Sequence, residues 1–297
     1  MEKYDGWLIY SKKGLKYNQK FLNTMLAKAE EYGVRVIIVD YDDFTIEAGE
    51  ENKLYYKGEY VENLPNFVFV RSLCIKLARY LELHGVKCIN NPTAMVLAKD
   101  KFRVHTMLTN AGFKTPKTIY SSNTKSSYTD FCNFFNSTIF VAKYNLGSRG
   151  NGVKLIRNED DFKKIENISD YIFQEYIETT RGRDIRILVL DNEVIGSVVR
   201  HAADPNEFRA NISKGGYAEA FDAPEKLKAT AIEVAKLFDF DFTGVDFLFT
   251  NDGYTVCELN SIPAFKALNV VKGVRFSNCF YKYILKYKKF EKWFYED

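Results

Sequence analysis

No apolar run in the 297 residues approaches the ~20 needed to span a bilayer. The opening stretch MEKYDGWLIYSKKG has no long apolar core followed by a small-residue cleavage site. Neither a membrane protein nor a secretory signal is therefore expected. The five cysteines, Cys74, Cys88, Cys132, Cys257 and Cys279, are scattered and include no C-x-x-C pair. An odd, unpatterned set argues against a disulfide framework or a zinc site. It points instead to free thiols in a reducing compartment, so a cytoplasmic location is expected. Charge of one sign is also missing. The net charge of +3 falls short of the basic excess usual in a nucleic-acid binder. Internal repeats and long low-complexity tracts are absent as well.

What remains is a globular composition, 46% hydrophobic and 27% charged, able to bury a real core. The length suits two or three packed subdomains of ~100 residues each. Through the first third, strand-like runs at 7–10, 34–39 and 67–70 alternate with a helical stretch at 17–32, a βαβ rhythm that implies a small parallel sheet with helices on its faces. Asn91-Pro92 reads as an N-cap with proline at the first helical position, opening a helix that runs to Gly112. Residues 121–129, rich in Ser, Thr and Asn, read as a loop. Short strands then follow at 139–143, 153–156, 171–175, 184–190 and 194–200, as in antiparallel sheet. A helix at about 224–238 precedes two more strands, 243–249 and 254–260. The expected fold class is a parallel α/β front end followed by two α+β lobes.

The most informative segment is TGVDFLFTNDGYTVCELN, residues 243–260. A three-residue loop Asn251-Asp252-Gly253 with glycine in the left-handed position sets Asp246 opposite Glu258, with Asn260 on the same face. A two-residue Asp252-Gly253 turn would set Asp246 opposite Leu259 instead. Facing carboxylates repel, and three hard-oxygen side chains suit magnesium or manganese held partly by phosphate oxygens. A solvated charged face, or pairing with nearby Lys or Arg, accounts for the spacing about equally well.

Lys101 falls within a helical stripe of Ala94, Leu97, Ala98, Val104, Leu108 and Ala111, where an ammonium needs a partner such as phosphate. On its own, a lysine at the stripe's edge reaching out to water is the favoured account. Lys143 ends a strand just before a glycine-rich loop containing Ser148, Arg149, Gly150 and Gly152. Such a loop lets backbone N–H groups approach phosphate, although a plain hairpin turn explains it equally well. It is neither a P-loop nor G-x-G-x-x-G opening a helix, since a strand follows. Asp184 and Arg186 share one strand face. Arg209, Asn211 and Lys214 lie in a polar, glycine-ended stretch that is either an exposed loop or a lid. Cationic donors of this kind suit a transferring phosphoryl group and a developing oxyanion.

In order, the segments KDKF (99–102), VAKYNLGSRGNGV (141–153), FQEYIETTRGRDIRILVL (173–190), FRANISKGG (208–216), VDFLF (245–249) and CELNSIP (257–263) resemble the ATP-grasp superfamily. Within it they are similar to the RimK-like carboxylate–amine ligases, over roughly residues 90–268. The resemblance implies an ATP-grasp fold divided at 1–90 (front α/β domain), 91–177 (central lobe) and 178–297 (C-terminal lobe with the metal site), the two lobes clasping ATP. It implies an ADP-forming ligase with ATP and Mg2+ (or Mn2+), taking a carboxylate substrate and an amine-bearing amino acid or peptide. Lys101 and Lys143 look like the phosphate lysines, and Glu175, Tyr176 and Ile177 like the adenine-contacting linker. Asp184 resembles the acid near the nucleotide, and Arg209 and Asn211 the pair beside the reacting groups. Asp246, Glu258 and Asn260 match the metal triad. A homo-oligomer is compatible with this reading.

Two departures bear on the acceptor. Where the family often has a small residue and then Pro-Gly, Asn260 is followed by Ser261-Ile262-Pro263-Ala264-Phe265, and His201 stands where some relatives have a second arginine. Rival readings are a nucleic-acid binder using the tail YKYILKYKKFEKWFYED, or a catalytically silent nucleotide-binding module. In that tail Phe280, Ile284, Tyr287 and Phe294 recur at helical spacing, which favours a packed amphipathic helix over exposed stacking rings.

Overall fold

The computed structural model describes residues 4–147, 152–204, 207–210, 215–264, 268, 270–271 and 273–295, the last seven by backbone alone. Strand β1 (Tyr4–Tyr10), helix α1 (Lys12–Glu31) and strand β2 (Val34–Asp40) open the chain. Ser11 caps α1 by accepting from the Gly14 N–H. A small antiparallel sheet follows, β3 (Phe44–Glu47), β4 (Lys53–Tyr56) and β5 (Glu59–Tyr60), and sequence reading missed it. Its β4–β5 turn uses Lys57 and Gly58, both at positive φ (54° and 84°), as a two-residue hairpin requires. Then come β6 (Phe67–Val70), α2 (Ile75–Leu83) and β7 (Lys87–Ile89). The front sheet has the order β2-β1-β6-β7, all parallel, as expected. Parallel strands gather their carboxyl ends, here those of β1, β6 and β7, along one edge, where α/β sheets place ligands.

The single helix expected from 92 to Gly112 is instead two, α3 (Pro92–Leu97) and α4 (Lys101–Asn110). Asn91 caps the first as expected, accepting from the Ala94 N–H at 2.7 Å. Asp100 caps the second through the Arg103 N–H at 3.0 Å. The apolar stripe continues across the break, but a side-chain acceptor able to start a new helix overrides it. Lys101 is thus the first residue of a helix rather than an interior one.

The central sheet comprises β8 (Thr118–Tyr120), β9 (Phe140–Tyr144), β10 (Val153–Ile156) and β11 (Tyr171–Glu175) in the order β10-β9-β11-β8. Helices α5 (Tyr128–Phe135) and α6 (Glu159–Lys163) cover it. The expected loop at 121–129 ends early, because Ser127 and Asp130 form a capping box that starts α5. Aromatic rings fill this core, with the Phe131 and Phe173 centroids 4.1 Å apart.

The C-terminal sheet is β14-β13-β12-β15-β16, built from β12 (Arg183–Leu190), β13 (Glu193–His201), β14 (Tyr217–Ala220), β15 (Phe242–Thr250) and β16 (Gly253–Asn260). Helix α7 (Glu225–Leu237) covers the face carrying Ile185, Ile187, Val189, Val245 and Phe247. The opposite face is divided along its length. Leu188, Leu190 and Phe242 pack into one cluster with front-sheet residues Leu8 and Phe69, while the other end of the same face is charged. Helix α8 (Phe276–Tyr295) closes that joint. Phe280 and Ile284 are fully buried there, and the Tyr281 hydroxyl donates to the Met25 carbonyl at 3.0 Å. The tail is therefore helical to Tyr295 and packed where its side chains are described, with the Phe294 side chain outside the described residues. Among the described residues no helix is long and apolar enough to cross a membrane.

Candidate active site

The charged end of the C-terminal sheet is organised by two bulged hairpins. Between β15 and β16, Thr250 pairs with Gly253, so the loop is the two residues Asn251-Asp252 rather than the three expected. Continued evenly, that register would set Asp246 opposite Cys257. A shift between Asp246 and Phe247 leaves Cys257 as an extra residue and brings Glu258 opposite Asp246. The expected pair forms, by a different route. A second shift, between Leu188 and Val189, does the same for β12 and β13 and sets Asp184 opposite Arg200.

The result is a ladder of ion pairs across neighbouring strands. Arg186 grips Asp246 with two bonds, Nε to Oδ1 at 2.7 Å and Nη2 to Oδ2 at 2.6 Å. Arg200 does the same to Asp184, at 2.6 Å twice, and Nη2 also reaches Asp246 Oδ2 at 2.9 Å. Asn260 donates Nδ2 to Asp246 Oδ2 at 3.1 Å. Asp246, Arg186 and Arg200 are all buried. Burial alone would raise the Asp246 pKa, but Arg186 and Arg200 outweigh it and hold the carboxyl below its usual range. Burial likewise opposes the charge on Arg200, yet Asp246 and Asp184 push its pKa up. Arg200 was not singled out in the sequence. The one available signal was its place opposite Asp184, and that depends on a bulge no composition rule reports.

Two lysines complete the site. Lys101 Nζ donates to the Gly147 carbonyl and lies 4.0 Å from Glu258 Oε1. Its backbone N–H meets the Asn145 carbonyl, and the Phe102 N–H meets Asn145 Oδ1 at 2.9 Å, so the start of α4 docks on the turn after β9. Lys143, on β9, points its Nζ at Cys257 Sγ, 3.4 Å away. Burial lowers the Lys101 pKa against the pull of Glu258, and raises that of Cys257 against Lys143. Four cations (Lys101, Lys143, Arg186, Arg200) thus face three carboxylates (Asp184, Asp246, Glu258), leaving one net positive charge to attract an anion.

Beside the lysines lies buried His105, also unforeseen. Its Nε2 meets Gln174 Nε2 at 2.7 Å, and burial followed by Lys143 pushes its pKa down to about 3, so it is neutral. Gln174 leads into Glu175, whose Oε1 accepts from the Lys117 N–H at 2.8 Å. Tyr176 meets the Phe208 ring edge-on, and Ile177 caps a short 3-10 turn. Arg209 stands apart from the ladder. It forms a bidentate pair with Glu207 and donates Nη1 to the Val153 carbonyl at 3.3 Å, bridging to the central sheet. Gly152 has φ +75° and leaves no room for a side chain, since a Cβ there would stand 2.8 Å from Tyr144 Cβ. Ser148, Arg149, Gly150, Asn211 and Lys214 lie outside the described residues.

The donor set suits a hard cation only in part through protein. Among the described residues no group of three or more His, Cys, Asp and Glu side chains is placed to hold a metal. Asp246, Glu258 and the Asn260 amide instead offer two carboxylates and one neutral oxygen on one face. That set matches the way Mg2+ is bound, with phosphate and water supplying the rest. Its identity and adjacency fit the ion.

The RimK-like ATP-grasp domain matches residues 98–284. A protein named probable alpha-L-glutamate ligase, from Methanococcoides burtonii, is 29% identical over 280 residues, covering 88% of this chain and 90% of its own. The human protein named beta-citrylglutamate synthase B is 29% identical over 271 residues, covering 85% of this chain and 69% of its own. Among solved structures, the ATP-grasp ligase PsnB complexed with minimal precursor, Mg and ADP superposes with a TM-score of 0.71 at 18% identity, covering 96% of this chain and 98% of its own. The fold is ATP-grasp.

Proposed function

Because the chain belongs to the RimK-like ATP-grasp family of C–N ligases, we propose that it joins a carboxylate to an amine through an acyl phosphate, consuming ATP and releasing ADP. The amine belongs to an amino acid or peptide, and the product is an amino acid added to, or a cross-link within, a peptide, protein tail or small metabolite. Relatives named probable alpha-L-glutamate ligase and beta-citrylglutamate synthase B support the amino-acid side of this reading. A neighbour complexed with a precursor supports the peptide side. The observation that carries the proposal is the buried ladder Asp184–Arg200–Asp246–Arg186, extended by Glu258 and Asn260 and faced by Lys101 and Lys143.

In this reading the lobes 91–177 and 178–297 clasp the nucleotide, with 1–90 as the front α/β domain. Glu175, Tyr176 and Ile177 meet the base, Asp184 lies near the nucleotide, and Lys101, Lys143 and the glycine loop at 147–152 hold the phosphates. Asp246, Glu258 and Asn260 would hold Mg2+ (or Mn2+), which when bound offsets charge on the phosphate oxygens. A substrate carboxylate attacks the γ-phosphorus, and the amine then attacks the acyl phosphate and expels phosphate. Positioning and charge stabilisation carry the phosphoryl step, so no protein nucleophile is required. Arg186, held by Asp246, is assigned to the reacting groups in this reading. Arg209 reaches the tetrahedral intermediate by exchanging Glu207 for it, with Asn211 and Lys214 following it in sequence.

The test is an ADP-release assay across amino acids and acidic peptides, with mass spectrometry of the condensation product. Lys143→Ala and Glu258→Ala should each lower amine-stimulated ADP release by at least about 100-fold. Near-normal turnover in either would refute these roles. ATP hydrolysis that no amine stimulates would refute the ligase.

A further inference from the structure

Gly244 and Asn260 form the last registered pair of β15 and β16. Beyond them the two strands are joined by a side chain from the front sheet. Asn90 follows β7, is 2% exposed, and presents its amide to Phe242 as a neighbouring strand would. Oδ1 accepts from the Phe242 N–H at 2.7 Å, and Nδ2 donates to the Phe242 carbonyl at 2.6 Å. The same Nδ2 donates to the Ser261 carbonyl at 2.8 Å. One amide therefore grips the first residue of the strand carrying Asp246 and the residue just past Asn260.

Neighbouring contacts reinforce the grip. Arg71, after β6, donates Nη2 to the Pro263 carbonyl at 2.8 Å, and Ile262 packs into the front core. Thr243 Oγ1 donates to the Asn260 carbonyl at 2.9 Å. Pro263 lies so close that a Cβ on Gly244 would stand 3.0 Å from its own. Both anchors, Asn90 and Arg71, come from the carboxyl edge of the front sheet.

The grip matters because of the bulge. A one-residue change of register turns every later side chain to the other face, and the Asn251-Asp252 loop lies on the far side of the shift from Asp246. The loop alone does not determine whether Cys257 or Glu258 faces Asp246. A lock is needed at the other end, and Asn90 is there.

We propose that Asn90 is a positioning residue through which the front domain fixes the register of Asp246 against Glu258 and Asn260. This rests on the reading of those three as the metal-holding set, so the experiment separates the two. Mn2+ is titrated against the protein with ADP present and followed by electron paramagnetic resonance. Backbone hydrogen exchange at 258–261 is measured without metal. Wild type is compared with Asn90→Ala, with Asn90→Ser should the alanine variant not fold, and with Phe162→Leu, a control destabilised in the central core. The Asn90 variants should raise the Mn2+ half-saturation by about ten-fold or more, as loss of a supporting residue does. They should also speed exchange at 258–261, whereas Phe162→Leu changes neither. Half-saturation within about two-fold of wild type, unchanged exchange, or the same changes in the control would overturn the proposal. Failure of the wild type to take up Mn2+ with ADP would count against the metal reading instead, and the exchange measurement would then decide the role of Asn90.

Discussion

Asp246 and Glu258 face each other across two strands and carry the same charge, yet their surroundings give them different work. The Asp246 side chain is 3% exposed and answers two guanidinium groups, while that of Glu258 is 39% exposed and has Lys101 at 4.0 Å. Neutralising the first leaves two buried arginines short of their counter-charge, and breaking a buried pair from one side costs about 3–5 kcal/mol. Neutralising the second removes only a 4.0 Å contact, exposed on the glutamate side, and leaves Lys101 bonded to the Gly147 carbonyl, a loss of about 1 kcal/mol or less. Urea unfolding should therefore show Asp246→Asn losing about 3–5 kcal/mol and Glu258→Gln staying within about 1 kcal/mol of wild type. Both should lose ADP release. Equal stability in the two variants would mean that the arginine ladder does not hold Asp246 in solution. Sequence alternation made Glu258 and Asn260 legible as one face, but Asp246 opposite Glu258 was expected from a three-residue loop and forms instead through the bulge at Cys257. Arg200 was not legible, since its partner is set by a bulge earlier in its own strand.

At the scale of elements, local chemistry decided what periodicity could not. The stripe from Ala94 to Ala111 reads as one helix, and Asp100 splits it, which moves Lys101 to a helix start docked on Asn145. The β3–β5 sheet escaped notice because its strands are short and mixed in character, and its best signal was the Lys57-Gly58 turn. The glycine-rich hairpin was legible as a loop but equivocal as a site. The structure adds a reason for glycine at one position: Gly152 combines φ +75° with a Cβ position only 2.8 Å from Tyr144 Cβ, at the mouth of the β9–β10 turn that Lys101 and Lys143 flank. A methyl group there is strained by conformation and by contact alike. Gly152→Ala should cost about 1–3 kcal/mol and displace the loop. Isothermal titration should then show ATP binding at least about ten-fold weaker, roughly 1.4 kcal/mol. Unchanged nucleotide affinity would show that the loop's backbone does not contact the phosphates.

On the scale of the molecule, the face of the C-terminal sheet that carries the charged ladder is also the face that docks on the front sheet. Alternate residues of β12 run from Asp184 and Arg186 to Leu188 and Leu190, so one strand supplies both the site floor and the interdomain core. Helix α8 seals that core. The Phe280 ring is fully buried, 4.6 Å from Phe69 and 5.8 Å from Phe276, in a cluster that also holds Leu188, Leu190 and Phe242. A shared core predicts shared unfolding, and the size of the loss follows from the ring. Phe280→Ala should cost about 3–5 kcal/mol, as deleting a buried phenyl group does. That loss should shift one common transition, with fluorescence (which includes Trp7 of β1) and far-UV circular dichroism moving together. Were the front sheet an independent neighbour held on by α8, the fluorescence change would instead come first, while most of the dichroism persisted. In that case the front domain could not act as the template that Asn90 implies, because it would separate from the strands it holds before they lost their own pairing.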